Sequence, residues 1–311
     1  MNDPHTVLTL PNPSRLRRQL FELLGDLPDR EAPFRSTLVR TVEHADFIQE
    51  DWLFEWNQIE PVPGVLLKPR HVEPPFPAVL YHHAHGGDYE LGKDELLQGR
   101  KALRRPYGPE LVCLGYAVLC VDAWCFGERQ GRSESEVFKE MLWKGEVLWG
   151  KMVFDALKAF DFLTSRPDIK ADSVASMGIS MGGTMALWST ALEPRIRACV
   201  DLCSLADYDA LIAEKALDRH GIYYYVPNLL KHTSASELNS LTAPRPRMCV
   251  VGRHDALTPI SGVEGIDRTL SDLYSASENP EDWNLLVTET GHFETELSHT
   301  RVLEFLQNSL S

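Results

Sequence analysis

Apolar positions along the chain change character near residue 77. Beyond it, short unbroken apolar blocks alternate with longer stretches whose apolar residues recur at helical spacing. The blocks are 78–83, 116–122, 174–177, 197–202, 248–252 and 283–288. Each is brief, and most are rich in Val, Leu and Ile. Blocks of this kind read as strands buried on both faces. The intervening stretches predict helices over 94–105, over 134–165 with Pro167 as the stop, from Ser180 to about Leu192, over 263–275 and over 294–308. Strands and helices in alternation predict an α/β fold, with a doubly wound, predominantly parallel sheet of about eight strands.

Before residue 77 the pattern is looser. Residues 13–27 place Leu16, Leu20, Leu23 and Leu24 on one face of a helix, which either covers the core or meets a second copy in a homo-oligomer. Residues 47–49, 52–56 and 64–67 lean toward strand, and Pro69, Pro74, Pro75 and Pro77 follow. Residues 1–311 are taken as a single domain, with 1–44 as an N-terminal helical extension. The connection 205–244, with Tyr223, Tyr224 and Tyr225 in a row, is the longest between core elements. It reads as a lid-like insertion over the carboxyl ends of the strands, against the plainer reading of a packing excursion.

Composition narrows the functional classes. The 311 residues carry a net charge of −14, and an acidic chain does not suit nucleic acid or anionic membrane as a partner. The six cysteines include no Cys-x-x-Cys pair and mostly stand in apolar runs. They are expected to be free thiols in a reducing compartment. No basic-apolar leader begins the sequence and no apolar run has the length of a membrane span, so a cytoplasmic location is expected.

The chemistry begins at Gly178-Ile179-Ser180-Met181-Gly182-Gly183, between an apolar strand and a small-residue helix. Gly-x-Ser-x-Gly at a strand-to-helix turn holds a serine in strained backbone angles with its hydroxyl lifted clear of the sheet. The pattern is short and chance supplies it often, so its neighbours must carry weight. Asp255 follows the strand at 248–252, where the plainer reading is a turn or helix-capping aspartate. His292 follows the last strand, where the plainer reading is a surface histidine. The loop His83-Ala84-His85-Gly86-Gly87 closes the first parallel strand, where a backbone amide joins that of Met181 in an oxyanion hole. Ser180, Asp255 and His292 occur in the chain order of α/β-hydrolases, each just past a strand.

On these residues, with Val121-Asp122-Ala123-Trp124, Phe126-Gly127-Glu128-Arg129, Ala243-Pro244-Arg245-Pro246 and Gly291-His292, the chain resembles α/β-hydrolases of the dienelactone-hydrolase-like and acetyl-xylan-esterase-like group. The resemblance spans roughly residues 45–308. It implies a serine carboxylester hydrolase that works through an acyl-enzyme on small-molecule, short-chain acyl esters such as acetylated sugars, with no metal and no organic cofactor. Ser180 is then the nucleophile, His292 the base and Asp255 its orienting acid. Ala84 stands where such relatives carry glycine, which assigns the loop's oxyanion amide to His85, with Gly86 or Gly87 as the alternative register. Dienelactone hydrolases proper use a cysteine where this chain has Ser180.

Gly86, Trp124, Glu128, Arg129, Tyr224 and Phe293 are candidates to line the substrate. For Trp124, Tyr224 and Phe293 the alternative is core packing, and for Glu128 and Arg129 a solvated ion pair. His82, His83, His85 and Asp88 resemble a metal cluster, but their spacing does not match the His-x-His-x-Asp-His arrangement. The competing readings are a peptidase related to prolyl oligopeptidase, whose propeller has no counterpart in these 311 residues, and a non-catalytic binding protein on a hydrolase fold.

Overall fold

The computed structural model describes residues 10–310. Nine strands form one sheet: β1 (Arg35–Glu43), β2 (Phe47–Glu55), β3 (Val62–Pro69), β4 (Phe76–His82), β5 (Ala117–Val121), β6 (Ile169–Ile179), β7 (Ala198–Leu202), β8 (Arg247–Gly252) and β9 (Trp283–Thr288). Their order across the sheet is β1-β2-β3-β5-β4-β6-β7-β8-β9. All pairings from β5 through β9 are parallel, and the first three strands join in antiparallel fashion. The six apolar blocks of the sequence are these six parallel strands.

Both faces of the inner parallel strands are buried, which is why they lack polar alternation, while β9 at the edge is mostly half-buried. In β4, Val79 and Tyr81 pack toward the helices Tyr107–Cys113 and Glu296–Leu310, while Ala78 and Leu80 pack toward Leu148–Ser165. In β8, Met248 and Val250 join the first of these layers, and Cys249 and Val251 meet the helix Ile260–Ser275. The helix Met181–Leu192 is buried along its whole length between β6, β7 and Leu148–Ser165.

Four departures from the sequence expectations have physical causes. The sheet has nine strands rather than about eight, because residues 35–43 form β1 instead of belonging to a helical extension. That strand is exposed at almost every position, so it carries no apolar face to announce it. The helix expected over 94–105 is only a short turn, Glu95–Gln98, and the regular helix here is Tyr107–Cys113. Residues 100–104 instead bond outward: the carbonyl of Ala102 accepts from the Glu294 amide, and the Arg104 amide donates to the Glu294 carboxylate. The span 134–165 breaks into Glu134–Lys144 and Leu148–Ser165 at Gly145, which caps the first helix in the left-handed region at φ 77°. The first helix stops at Leu23, short of residue 27, and Gly25 (φ 79°) turns the chain beside Gly145.

The 205–244 connection forms short helices, Tyr208–Ala213, Leu229–His232 and Ala235–Ser240, joined by tight turns. All six cysteines are free. Among the described residues no helix is long and apolar enough to cross a membrane.

Candidate active site

The turn at Ser180 follows from three close approaches. A side chain on Gly178 would meet the His82 carbonyl oxygen at 2.5 Å, and one on Gly182 would meet it at 1.9 Å. A Cβ on Gly183 would meet Ser204 Oγ at 2.5 Å. Glycine at these positions lets the start of Met181–Leu192 press against the end of β4. Between them Ser180 adopts φ 57° and ψ −122°, a strained conformation for a residue with a Cβ. Its own amide donates to the Leu202 carbonyl at 2.8 Å, and its carbonyl accepts from Thr184, so neighbours on both sides hold the strain in place. The helix start carries no side-chain cap, which leaves the Met181 amide without a hydrogen-bond partner among the described residues.

Asp255 and His292 come from loops that run side by side. Gly252 lies so close to the second loop that a Cβ would meet the Gly291 carbonyl oxygen at 2.2 Å. The His254 amide donates to the Thr290 carbonyl at 2.9 Å. Asp255 is 4 % exposed. Its Oδ1 accepts from the Leu257 amide at 2.9 Å, and its Oδ2 meets His292 Nδ1 at 2.7 Å. With Nδ1 engaged, the ring carries its proton there toward the aspartate and keeps Nε2 as the free nitrogen. The His292 side chain is 28 % exposed. Ser180 and His292 both line one cleft of about 420 Å³, with Ala84, Gly86, Leu91, Arg100 and Ala102 among its walls.

The loop after β4 restricts which amides remain available. The Ala84 amide donates to Glu95 Oε2 at 3.1 Å, that of Gly87 to His85 Nδ1 at 3.0 Å, and that of Asp88 to the His85 carbonyl at 3.1 Å. The amides of His85 and Gly86 make no hydrogen bond among the described residues. Beneath the loop, Glu95 pairs with Arg100 at 3.1 Å and accepts from Tyr81 Oη at 2.7 Å. Burial raises the Glu95 carboxyl above its ordinary range, against the pull of Arg100. Arg100, whose guanidinium would collide with any side chain on Gly86, lines the cleft and has no signature in the sequence.

The histidine run before this loop does not converge. His82 Nε2 meets Ser176 Oγ at 3.0 Å. His83 Nε2 accepts from the Ala123 amide at 3.0 Å while its Nδ1 faces the Ala84 carbonyl. Burial lowers these two rings to about 3 and about 4 respectively, so both are neutral at pH 7. Among the described residues, one group has ligand atoms mutually within 4.8 Å, namely Cys203, Asp255 and His292. There His292 Nδ1 is bonded to Asp255. Burial pushes the Cys203 thiol up, so it is a neutral neighbour of the pair.

The substrate-lining candidates separate. Gly86 lines the cleft beside Ser180. Trp124 does not: it is 5 % exposed and its indole donates to Asp155 Oδ2 at 2.9 Å. Arg129 is likewise committed, to Asp155 at 2.9 Å, Glu60 at 2.7 Å and the Asp122 carbonyl at 2.8 Å. Glu128 is exposed and pairs with Lys93 Nζ at 2.5 Å. Tyr224 lines a separate apolar cavity within 205–244 and stacks on His220 at 4.8 Å. Phe293 is 47 % exposed and does not line the cleft. These side chains fall on the expected edge of the sheet, but the direction in which each points depends on packing partners far away in sequence. His220, which no sequence motif marks, bonds the Leu257 carbonyl at 3.1 Å and so ties the 205–244 connection to the Asp255 loop.

Comparison with known proteins agrees with this architecture. The pattern of the prolyl oligopeptidase family matches residues 129–299. YtaP of Bacillus subtilis (strain 168), provisionally classed as a hydrolase, is 48% identical over 295 residues, covering 94% of this chain and 98% of its own. Among solved structures, acetyl xylan esterase 1 from Thermoanaerobacterium sp. JW/SL YS485 superposes with a TM-score of 0.69 at 17% identity, covering 100% of both chains. The glucuronoyl esterase from Solibacter usitatus does so with a TM-score of 0.70 at 15% identity, covering 95% of this chain and 92% of its own. At such identities the likeness is one of fold: the α/β-hydrolase fold.

Proposed function

The chain belongs to the prolyl oligopeptidase family of α/β-hydrolases, and from that premise we propose that it is a serine ester hydrolase acting on short-chain acyl esters of small alcohols. The observation that carries this reading is the 2.7 Å bond between His292 Nδ1 and Asp255 Oδ2, at a histidine that shares one cleft with the strained Ser180. In the mechanism this supports, Ser180 Oγ attacks the ester carbonyl carbon as His292 Nε2 takes the hydroxyl proton. Asp255 holds the ring in the required tautomer and stabilises the imidazolium. The carbonyl oxygen becomes an oxyanion, for which the Met181 amide and an amide of the His85–Gly86 pair are the available donors. Collapse of this intermediate breaks the bond to the alcohol, which leaves with the proton from His292. Water, deprotonated by the same nitrogen, then releases the acid and restores Ser180. The cleft of about 420 Å³, with small Ala84 and Gly86 in its wall, suits a short acyl group.

A fluorophosphonate probe tests the nucleophile. Wild-type protein is expected to label and to hydrolyse p-nitrophenyl acetate, and Ser180→Ala to lose both while staying folded. Labelling that survives in Ser180→Ala refutes the assignment. The family's peptidase members make acyl-peptides the necessary comparison: faster turnover of an acyl-peptide than of any simple ester would replace the esterase reading with a peptidase one.

A further inference from the structure

The loop that carries Asp255 is held on both sides of that residue. Before it, the Arg253 amide donates to the Thr288 carbonyl at 2.8 Å and the His254 amide to the Thr290 carbonyl at 2.9 Å. After it, the partners are side chains from a distant turn. Arg219 Nη1 donates to the Ala256 carbonyl at 3.0 Å, and His220 Nε2 meets the Leu257 carbonyl at 3.1 Å. Among the described residues these two carbonyls have no other hydrogen-bond partner. The Ala256 carbonyl shares its peptide unit with the Leu257 amide, and that amide donates to Asp255 Oδ1 at 2.9 Å. A peptide whose carbonyl accepts from a charged donor is polarised, and its amide donates more strongly. A chain of contacts thus runs from Arg219 through one peptide to the carboxylate that orients His292.

The turn that supplies these donors is braced by the row of three tyrosines. Tyr224 stacks on the His220 ring at 4.8 Å with 17° between the planes. Tyr225 Oη donates to the Leu217 carbonyl at 2.6 Å, and Tyr223 stacks on His85 of the oxyanion loop at 5.3 Å. A Cβ on Gly221 would meet the Tyr223 ring at 2.6 Å, so the turn is also tightly filled. A ring locked by its neighbours delivers its N–H to one place. Burial holds the His220 ring below its ordinary pKa, and His292 pushes it the same way. A neutral ring bonded to a carbonyl carries its proton on the bonded nitrogen, so Nε2 is the donor. Neutrality also suits the site, because a charged His220 would oppose the imidazolium that forms at His292. Neither Arg219 nor His220 lines the cleft with Ser180.

We propose that Arg219 and His220 are positioning residues for the catalytic acid: the 205–244 connection clamps the Asp255 loop where Asp255 can orient His292. The proposal rests on the esterase reading above, and its tests separate the two. His220→Phe keeps a ring to stack on Tyr224 but has no donor, whereas His220→Gln keeps an N–H donor and gives up the ring. His220→Phe is expected to lower kcat for p-nitrophenyl acetate about tenfold with KM little changed, because a displaced acid acts on the transition state. His220→Gln is expected to recover most of that rate. Arg219→Met, at an exposed position that the fold does not depend on, is expected to lower kcat about threefold. A second readout needs no turnover: the far-downfield proton resonance of the His292–Asp255 hydrogen bond. It is expected to move in His220→Phe and to return to the wild-type position in His220→Gln. Wild-type kcat in folded His220→Phe, an equal loss in His220→Gln, or a loss confined to KM overturns the proposal. So does an unchanged kcat with an unmoved resonance in Arg219→Met, whether or not His220→Phe folds. Wild-type rates from Ser180→Ala would instead sink the esterase reading, and the resonance would still decide the clamp.

Discussion

Two aspartates at the same edge of the sheet have opposite surroundings. Asp155, on the helix Leu148–Ser165, accepts from four fixed donors: the Trp56 indole and Asn57 amide at one oxygen, the Trp124 indole and Arg129 at the other. Arg129 also lies over the Trp124 ring at 4.6 Å, so charge and aromatic packing reinforce one another. Asp255 accepts one backbone amide and one histidine, and that histidine is partly open to solvent. A carboxylate saturated by donors that never change protonation acts as a structural tie. A carboxylate whose partner is an exposed, titratable ring can support proton transfer at that ring. The histidines repeat the contrast: His83 has both nitrogens committed inside the protein, and His292 has one to offer.

The largest effect expected from this contrast is on rate. Asp255→Asn should lower kcat/KM for p-nitrophenyl acetate by about 10³-fold or more, because the amide no longer fixes the tautomer. Its thermal midpoint should move less than that of Asp155→Ala; a large stability loss with intact turnover would reverse the comparison. Next, Asp155→Ala should destabilise by about 3–5 kcal/mol, since it leaves the buried Arg129 with Glu60 as its remaining carboxylate and strands the Trp56, Asn57 and Trp124 donors. Chemical denaturation would measure this, while activity per folded molecule should persist. Loss of activity at full stability would make the Asp155 cluster part of the site.

The smallest effect is a pH dependence. Burial lowers His83 to about 4, below the unfolded value near 6.5, so the unfolded chain binds the extra proton first. The stability that the neutral ring contributes is complete above pH 6.5 and is lost as pH falls toward 4, roughly 3 kcal/mol in all. The urea midpoint should therefore fall across this window in wild type and fall less steeply in His83→Gln. Equal slopes would show that His83 is not held neutral.

Much of this arrangement is legible in the sequence, and the limits are instructive. The parallel strands announce themselves because burial on both faces requires continuous apolar runs. Ser180 is legible because its turn needs glycine at 178 and 182, where a side chain would strike the backbone of β4. Strand β1 is not, because an exposed edge strand carries no apolar periodicity. Residues 94–105 look helical, yet tertiary bonds to Glu294 take the groups a helix would use. Trp124 and Arg129 fall at the edge where substrate-lining residues belong, but Asp155, some thirty positions on, turns both inward.

By itself, then, the sequence determined the parallel α/β core, the sharp turn at Ser180 and the order in which Asp255 and His292 follow their strands. These depend on local backbone geometry and on apolar periodicity, which neighbouring residues encode. Tertiary structure alone decided that Asp255 and His292 meet at 2.7 Å, which loop amides remain unbonded and which polar residues are structural ties. Each of those depends on where a side chain or amide finds its partner across the fold, and no local pattern records that choice.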